Sequence, residues 1–470
     1  MDLRKVPYKW LAATAFVTGL FMDLMDTTIV NVALPTIGRD FGANIGRLEW
    51  VATGYLVSLA VWIPASGWIG DRFGTKKTFG VALGVFTAGS ALCGLAWNAG
   101  SLIAFRILQG IGGGMMTPVG TTMLFRAFTG AERAKAAALI TIPTAIAPAL
   151  GPVLGGWLVD QVSWRWIFYV NVPVGVAALA FTVLLLREHK EPAAGAFDVW
   201  GFLCSGGGLA LVLFALSEAP SRGWTSKEIV VSGLGGIVLF VLLVLIELRQ
   251  RSPLLHIRLY GDRMFRNANL VMFMIFAMLL GVLFLLPLFL QQLRGLSAFV
   301  SGLTTAPQAL GLLLMSQVAS RVYPRVGPRR MLTAALGGIV VTSTLFLLVG
   351  LGTNLWWIRA IMFLRGIFMS FAFIASQAAT FSTISSEETG RASALFNTNR
   401  QVAASLGVAV LATVLSEEMK APPLGAGPAA MHHAQLFAFH TAFAASIIFG
   451  VLGIIFTLRI HDEDAASSTG

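Results

Sequence analysis

The amino-acid sequence predicts an all-α integral membrane protein with 14 transmembrane helices, on three observations. Hydrophobic residues make up 56% of the chain and charged residues only 12%, where soluble proteins carry about 25% charged residues. Apolar stretches of about 17 to 25 residues, the length that a bilayer core of roughly 30 Å demands of a helix, recur from one end to the other. Lys and Arg gather in alternate connections between these stretches, as they do in a chain that threads a membrane repeatedly.

The 14 spans run over 10–33, 48–69, 78–97, 101–124, 136–159, 166–186, 198–217, 228–247, 267–290, 299–320, 331–351, 355–380, 393–415 and 436–458. An even number puts both termini on one side, and the larger share of Lys and Arg lies there, so both termini are expected to be cytoplasmic. The first span is too long for a signal peptide and lacks a small-residue cleavage site, so it is expected to be retained. A formal charge of +11 points to nucleic acid in a soluble protein, but here the basic residues are scattered over short loops, and no nucleic-acid partner is expected. Cys93 and Cys204 both lie in apolar spans and offer neither a disulfide framework nor a metal site. The histidines fall in loops or near span ends, and the isolated pair His432 and His433 does not make a metal site.

The first span carries two acids, Asp23 and Asp26, in an otherwise apolar run from Trp10 to Pro35. A carboxylate near a bilayer centre costs roughly 3 kcal/mol, so an acid there marks a functional site. The two lie three residues apart, on one helical face. The remaining acids, including Glu49, Asp160, Asp198 and Glu247, fall at or beyond span ends, which confines the membrane acid chemistry to one helix. Phe21, Met22 and Met25 beside the acids are candidates for a hydrophobic substrate wall, with Asn31 and Gln109 as polar contacts.

The second span ends in Gly67-Trp-Ile-Gly-Asp-Arg-Phe-Gly-Thr-Lys-Lys77. Gly67 and Gly70 let helices approach closely, and Gly74 permits a tight turn. Asp71 and Arg72 fall at a helix end, where charge interacts with helix dipoles, and Lys76 and Lys77 follow; the array is expected to latch one conformation and release another. The fourth span carries Arg106-Ile-Leu-Gln-Gly110, then Gly112, Gly113 and Gly114. In the fifth, Pro143, Pro148 and Pro152 remove backbone donors, while Gly151 and Gly155, with Gly156, form a small-residue face, the properties of a bending gate helix. Arg365 and Arg400 also lie within spans, either as functional cations or as side chains that snorkel to the surface. Asn397, Asn399 and Gln401 suit either a cavity lining or the opening turn of span 13.

The Gly67 to Lys77 array resembles the loop signature of the major facilitator superfamily, the Arg106 segment its buried-arginine motif, and Pro148 to Gly156 its antiporter motif. Asp26-Thr-Thr-Ile-Val-Asn-Val-Ala-Leu-Pro35, Trp164-Arg-Trp-Ile-Phe-Tyr-Val-Asn-Val-Pro-Val-Gly175, Gln291 to Ser297 and Asn397 to Gln401 are similar to the 14-helix drug:proton antiporter branch. The resemblance implies the major facilitator fold, two six-helix bundles around a central cavity, here over 1–190 and 261–470, with two extra helices in 191–260. Gly74-Thr-Lys-Lys77 recurs as Gly327-Pro-Arg-Arg330 without an acid from Ser316 to Arg330, so any charge latch is asymmetric.

The resemblance further implies a multidrug efflux antiporter, which exchanges inward protons for a small hydrophobic or cationic molecule across the cytoplasmic membrane. Asp26, with Asp23 and Arg106, is expected to couple protons; Asp26 matches the branch's acidic position, and Asp23 is expected to attract a cationic substrate. Export of an endogenous lipid or metabolite suits the same helices. An intramembrane protease needs two carboxylates converging from separate helices, and both acids share one helix, so no enzyme is expected; a non-transporting sensor is a remote alternative. The chain has no phosphate loop, so the proton gradient, and no cofactor, is the expected energy source.

Overall fold

A computed structural model describes residues 6–463 apart from 43–44, 129–131, 191–194, 251–253, 297, 386, 420–427 and 462. Its regular structure is helical throughout the described residues. The first half holds α1 (Tyr8–Phe41), α2 (Ile45–Phe73), α3 (Thr75–Gly94), α4 (Ala99–Ala127), α5 (Arg133–Gln161), the short α6 (Trp166–Tyr169) and α7 (Asn171–Leu185). A hairpin follows, α8 (Val199–Arg222) and α9 (Lys227–Arg249). The second half holds α10 (Arg263–Leu288), α11 (Ala298–Thr305), α12 (Pro307–Val326), α13 (Pro328–Leu345), α14 (Leu355–Ser382), α15 (Thr389–Met419) and α16 (Pro428–Thr457).

Local chemistry explains several boundaries. Asn98 caps α4 through a reciprocal pair of bonds with Ser101, and Asp198 and Asp262 cap α8 and α10 with their carboxylates, each giving an orphan backbone N–H a partner. Gly74 turns between α2 and α3 at φ +102°, and Gly327 turns between α12 and α13 at φ +82°, so the repeated loop is repeated in geometry as well. The amides of Lys76 and Lys77 donate to Glu188 at 3.0 and 3.1 Å, which tethers the start of α3 to the segment after α7.

Among the described residues, twelve helical stretches are long and apolar enough to cross a membrane. The expected spans 136–159 and 299–320, corresponding to α5 and the α11–α12 region, are not among the twelve. α12 is comparatively polar, carrying Gln308, Ser316, Gln317, Ser320, Arg321 and Arg325, whereas α5 is interrupted by residues whose side chains lie outside the described ones. They are also the helices that join the halves on one flank, where α5 packs against α12 and α14. On the other flank α15 packs against α2 and α4, and α8 of the hairpin lies on both α2 and α15.

Candidate functional site

Five helices of the first half converge on the two acids of α1. Asp26 is fully buried and forms an ion pair with Arg106 of α4, while Gln109 Nε2 and Asn171 Nδ2 donate to its other oxygen at 2.9 and 3.0 Å. Arg106 is fixed from three further directions. Its Nε donates to the Val51 carbonyl at 3.1 Å, Nη1 also donates to Gln109 Oε1 at 2.7 Å, and the guanidinium lies 4.0 Å from the centre of the Tyr55 ring. Asn171 is itself held by Ser90 Oγ at 3.2 Å, and that hydroxyl donates to the Phe168 carbonyl. A planar donor fork facing a carboxylate in a water-poor interior is the arrangement that makes a buried ion pair tolerable.

Asp23 sits one turn away with a different set of partners. The Tyr55 hydroxyl donates to Oδ1, and Thr117 Oγ1 donates to Oδ2 at 3.2 Å. Tyr55 therefore joins the two acids, giving its hydroxyl to Asp23 and its ring face to the cation that pairs with Asp26.

The residues of the expected substrate wall are buried in this conformation. Met22 is 2% exposed in the cluster that contains Tyr55, Phe79 and Phe86, and Met25 is 6% exposed in the cluster with Ile29, Cys93 and Phe168, against which Phe21 packs. Both methionines fill the core of the first half, because the acid-bearing face of α1 is itself turned inward. Gln109 is likewise buried, bound to Asp26 and Arg106. The side chain of Asn31 lies outside the described residues. Tyr55, Thr117, Ser90 and Asn171 are the members of the network that the sequence reading did not select; Asn171 lay within the quoted Trp164 to Gly175 segment, and Tyr55 is one of only five tyrosines.

The Gly67 to Lys77 array lies where the halves meet. Asp71 is 2% exposed and pairs with Arg126 of α4 at 3.1 Å, and a methyl group on Gly67 would lie 3.0 Å from the carbonyl of Gly390 in the first turn of α15. Gly70 faces Val119 of α4 within the first half, where a methyl group would lie 3.5 Å from Val119 Cγ2, an ordinary contact. At this end of the molecule Ser393 donates to the Pro118 carbonyl at 2.8 Å, Phe125 stacks on Phe381 at 4.3 Å, and Arg133 donates to the Ile384 carbonyl at 3.2 Å. The end is shut in this conformation. Arg72 is exposed, and the backbone amides of Lys76 and Lys77 serve the Glu188 tether.

On α5, Gly151 lies against Thr28 and Ile29 of α1, and a methyl group on Gly155 would lie 2.8 Å from Ile29 Cγ1. Gly156 faces open space and does not belong to that contact. Pro148 and Pro152 lie within α5, but their side chains are outside the described residues. Neither Arg365 nor Arg400 snorkels. Arg365 is fully buried, donating to Ser343 Oγ at 2.6 Å and the Met278 carbonyl at 3.1 Å, and Arg400 lies in the middle of α15 over the Phe276 ring at 4.5 Å. Asn397 and Asn399 are inside α15, not at its opening turn.

Two helical halves packed together at one end, with a buried charge network in one of them, define a multi-pass membrane transport protein. The chain belongs to the major facilitator superfamily, whose family model matches residues 16–408. It is 33% identical over 455 residues to the multidrug resistance protein B homolog of Mycobacterium tuberculosis, an alignment covering 91% of this chain and 82% of that protein. It is 31% identical over 461 residues to the putative multidrug resistance protein MdtD of Salmonella heidelberg, covering 96% and 94%. The crystal structure of the human organic anion transporter MFSD10 (TETRAN) matches with a TM-score of 0.68 at 16% identity, over 96% of this chain and all of that one, a likeness of fold. Family and relatives make this protein a transporter and not an enzyme.

Proposed function

We propose that the protein is a proton-coupled antiporter that exports small amphipathic or cationic compounds by alternating access across the cytoplasmic membrane. The observation that carries this reading is Asp26, wholly buried and ion-paired with Arg106. The ionised carboxylate has three donors, and a proton arriving at Asp26 would remove the charge that holds Arg106. Loss of that grip frees α1 and α4 to shift, and release of the proton restores it. Asp23, hydrogen-bonded by two hydroxyls and faced by Arg400 of α15 without an ion pair, supplies the charge that attracts a cationic substrate. The relatives named for multidrug resistance support the substrate class.

In this reading α5 and α12 complete a set of 14 membrane helices. Both termini are cytoplasmic, bundles over 1–190 and 261–470 rock against each other, and 191–260 supplies the extra pair. The shut end, with Asp71 and Arg126, is the cytoplasmic end. The proton gradient is the energy source in place of a cofactor: one proton moving inward through 100 mV releases about 2.3 kcal/mol, roughly a fiftyfold concentration ratio for a neutral solute exchanged one for one.

Purified protein in liposomes tests this directly. An imposed pH gradient is expected to drive substrate movement with counterflow of protons, and Asp26→Asn, which keeps size and hydrogen bonding but cannot release a proton, is expected to abolish both. Coupled exchange that persists undiminished in Asp26→Asn rules the coupling role out.

A further inference from the structure

The inserted hairpin holds two buried acids that the proposed cycle does not use. Glu247 stands near the end of α9 and, although the sequence places it at a span end, it is only 1% exposed. Asp198 caps α8 and is 2% exposed. Each carboxyl group is half satisfied. Asp198 Oδ1 accepts from the Gly201 amide at 2.9 Å and Glu247 Oε1 accepts from the Leu255 amide at 2.9 Å, with the Leu254 amide also close to the Glu247 carboxyl group, while Asp198 Oδ2 and Glu247 Oε2 are buried and make no well-formed hydrogen bond. A methyl group on Gly201 would lie against Asp198 Oδ2 and 3.1 Å from Glu247 Oε1, so both groups crowd onto one glycine.

Two adjacent buried carboxylates cannot both be ionised without a large penalty, and a buried acceptor without a donor costs about 1–3 kcal/mol. A single hydrogen between them removes both costs. We propose that Glu247 is held protonated at Oε2 and donates to Asp198 Oδ2, which makes this end of the hairpin a proton-binding site.

The surroundings fit one proton and not a full counter-charge. Cys204 of α8 faces Asp198 and Arg391 of α15 faces Glu247, and Arg391 is in turn faced by His256, which also lies near Arg258, in the connection after α9. Arg249 of α9 is exposed. From α2, packed on α8, the charges at the same end are Asp71, paired with Arg126, and the exposed Arg72. His256 is pushed down to about 4 by burial and by the guanidinium groups of Arg391 and Arg258, so it is neutral at physiological pH. Its Nε2 lies 3.5 Å from Arg391 Nη1. Arg391 belongs to the first turn of α15, beside Gly390, the residue that abuts Asp71 at the shut end. Loss of the proton from the acid pair adds a negative charge facing that turn. The hairpin therefore reads proton activity on its own account, whether or not transport is proton-coupled.

The test uses the full-length protein in detergent with Cys204→Ala, so that no thiol ionises near the pair. Infrared difference spectra at neutral pH are expected to show the carbonyl stretch of a protonated carboxylic acid that is lost in Glu247→Gln and retained in Asp23→Asn. In Asp198→Asn the same band should move, because the acceptor changes from a carboxylate to an amide. Thermal unfolding supplies a second readout with a definite sign. A carboxyl group that keeps its proton in the folded state loses its stabilising contribution as pH rises from its unfolded value, about 4.3, into the neutral range, so the parent should melt progressively lower across that window, and Glu247→Gln should flatten that slope. His256 has the opposite sign and acts between 6.5 and about 4, where falling pH destabilises the fold, so the carboxyl contribution is read as the difference between the parent and Glu247→Gln, both of which keep His256. An infrared band unchanged by Glu247→Gln overturns the proposal. So does a parent protein stabilised at fixed pH by sodium or potassium, which would put a metal cation between the acids.

Discussion

Asp23 and Asp26 are about 4.5 Å apart along the axis of α1, yet they are held by different chemistry. Asp26 has a guanidinium and two amides, whereas Asp23 has the hydroxyls of Tyr55 and Thr117. Removing the charge at Asp23 should therefore leave the Asp26 pair in place. Asp23→Asn is expected to lower transport of cationic substrates relative to neutral ones by about tenfold, the effect of some 1.4 kcal/mol of charge attraction, with proton coupling retained. Tyr55→Phe keeps the Asp23 charge and should keep the cation preference. Competition between a cationic and a neutral substrate in liposomes measures both, and an unchanged ratio in Asp23→Asn removes Asp23 from substrate selection. The acids and Arg106 were legible in the sequence because a charge in an apolar run is conspicuous. Tyr55, Thr117 and Asn171 were not, because a neutral polar side chain costs little within a span and only the folded arrangement shows which one points at a carboxylate.

At the scale of single helices, α5 offers a contrast between neighbouring glycines. Gly155 is pressed against Ile29 of α1, and Gly156 faces open space. Gly155→Leu is expected to force α5 from α1 and abolish transport while the protein still folds and reaches the membrane, whereas Gly156→Leu should keep most activity. Transport assays at matched expression check this; equal activity in the two variants would mean that the α1–α5 contact does not govern the cycle. Element positions were largely readable from apolar length, although α1 runs over Tyr8–Phe41 where the expected span covers 10–33. Helices outlast their hydrophobic stretches because backbone hydrogen bonding continues past the last apolar residue until a cap or turn intervenes, here Gly42 at φ +57°. The rotation of α1 was not readable. Its apolar residues surround the helix on all sides, so nothing in their spacing shows that Met22 and Met25 face the core.

Across the whole molecule, the shut end is built from contacts that must break if the halves rock. Asp71 is buried there, paired with Arg126 within the first half, and a contact it makes across the seam is its close approach to Gly390 in the first turn of α15. Asp71→Asn is expected to weaken this end and slow or abolish the transport cycle while substrate affinity stays within about threefold, since the residue is remote from Asp23 and binding energy changes by less than about 0.7 kcal/mol. Binding and flux measured on the same preparation separate the two, and a parallel loss of both would place Asp71 in the binding site. The repeated turn at Gly327 made the asymmetry between halves visible from sequence, because the second copy carries no acid. The hairpin's own buried acids were not visible, since Glu247 looks like a surface residue until the connection after α9 folds back and gives it the Leu255 amide.

The hairpin also touches both halves at once. Phe202 and Phe214 of α8 meet Trp62 and Trp50 of α2, while Trp224, just past α8, donates to Thr413 of α15 at 2.8 Å. A body in contact with two moving parts cannot travel with both. Whenever the halves change their mutual angle, the hairpin must ride with one and slip along the other, like a bearing set between two plates. The two tryptophan–phenylalanine contacts make the α2 side the broader seat, so the Trp224 to Thr413 bond is the one that such a stroke would shear.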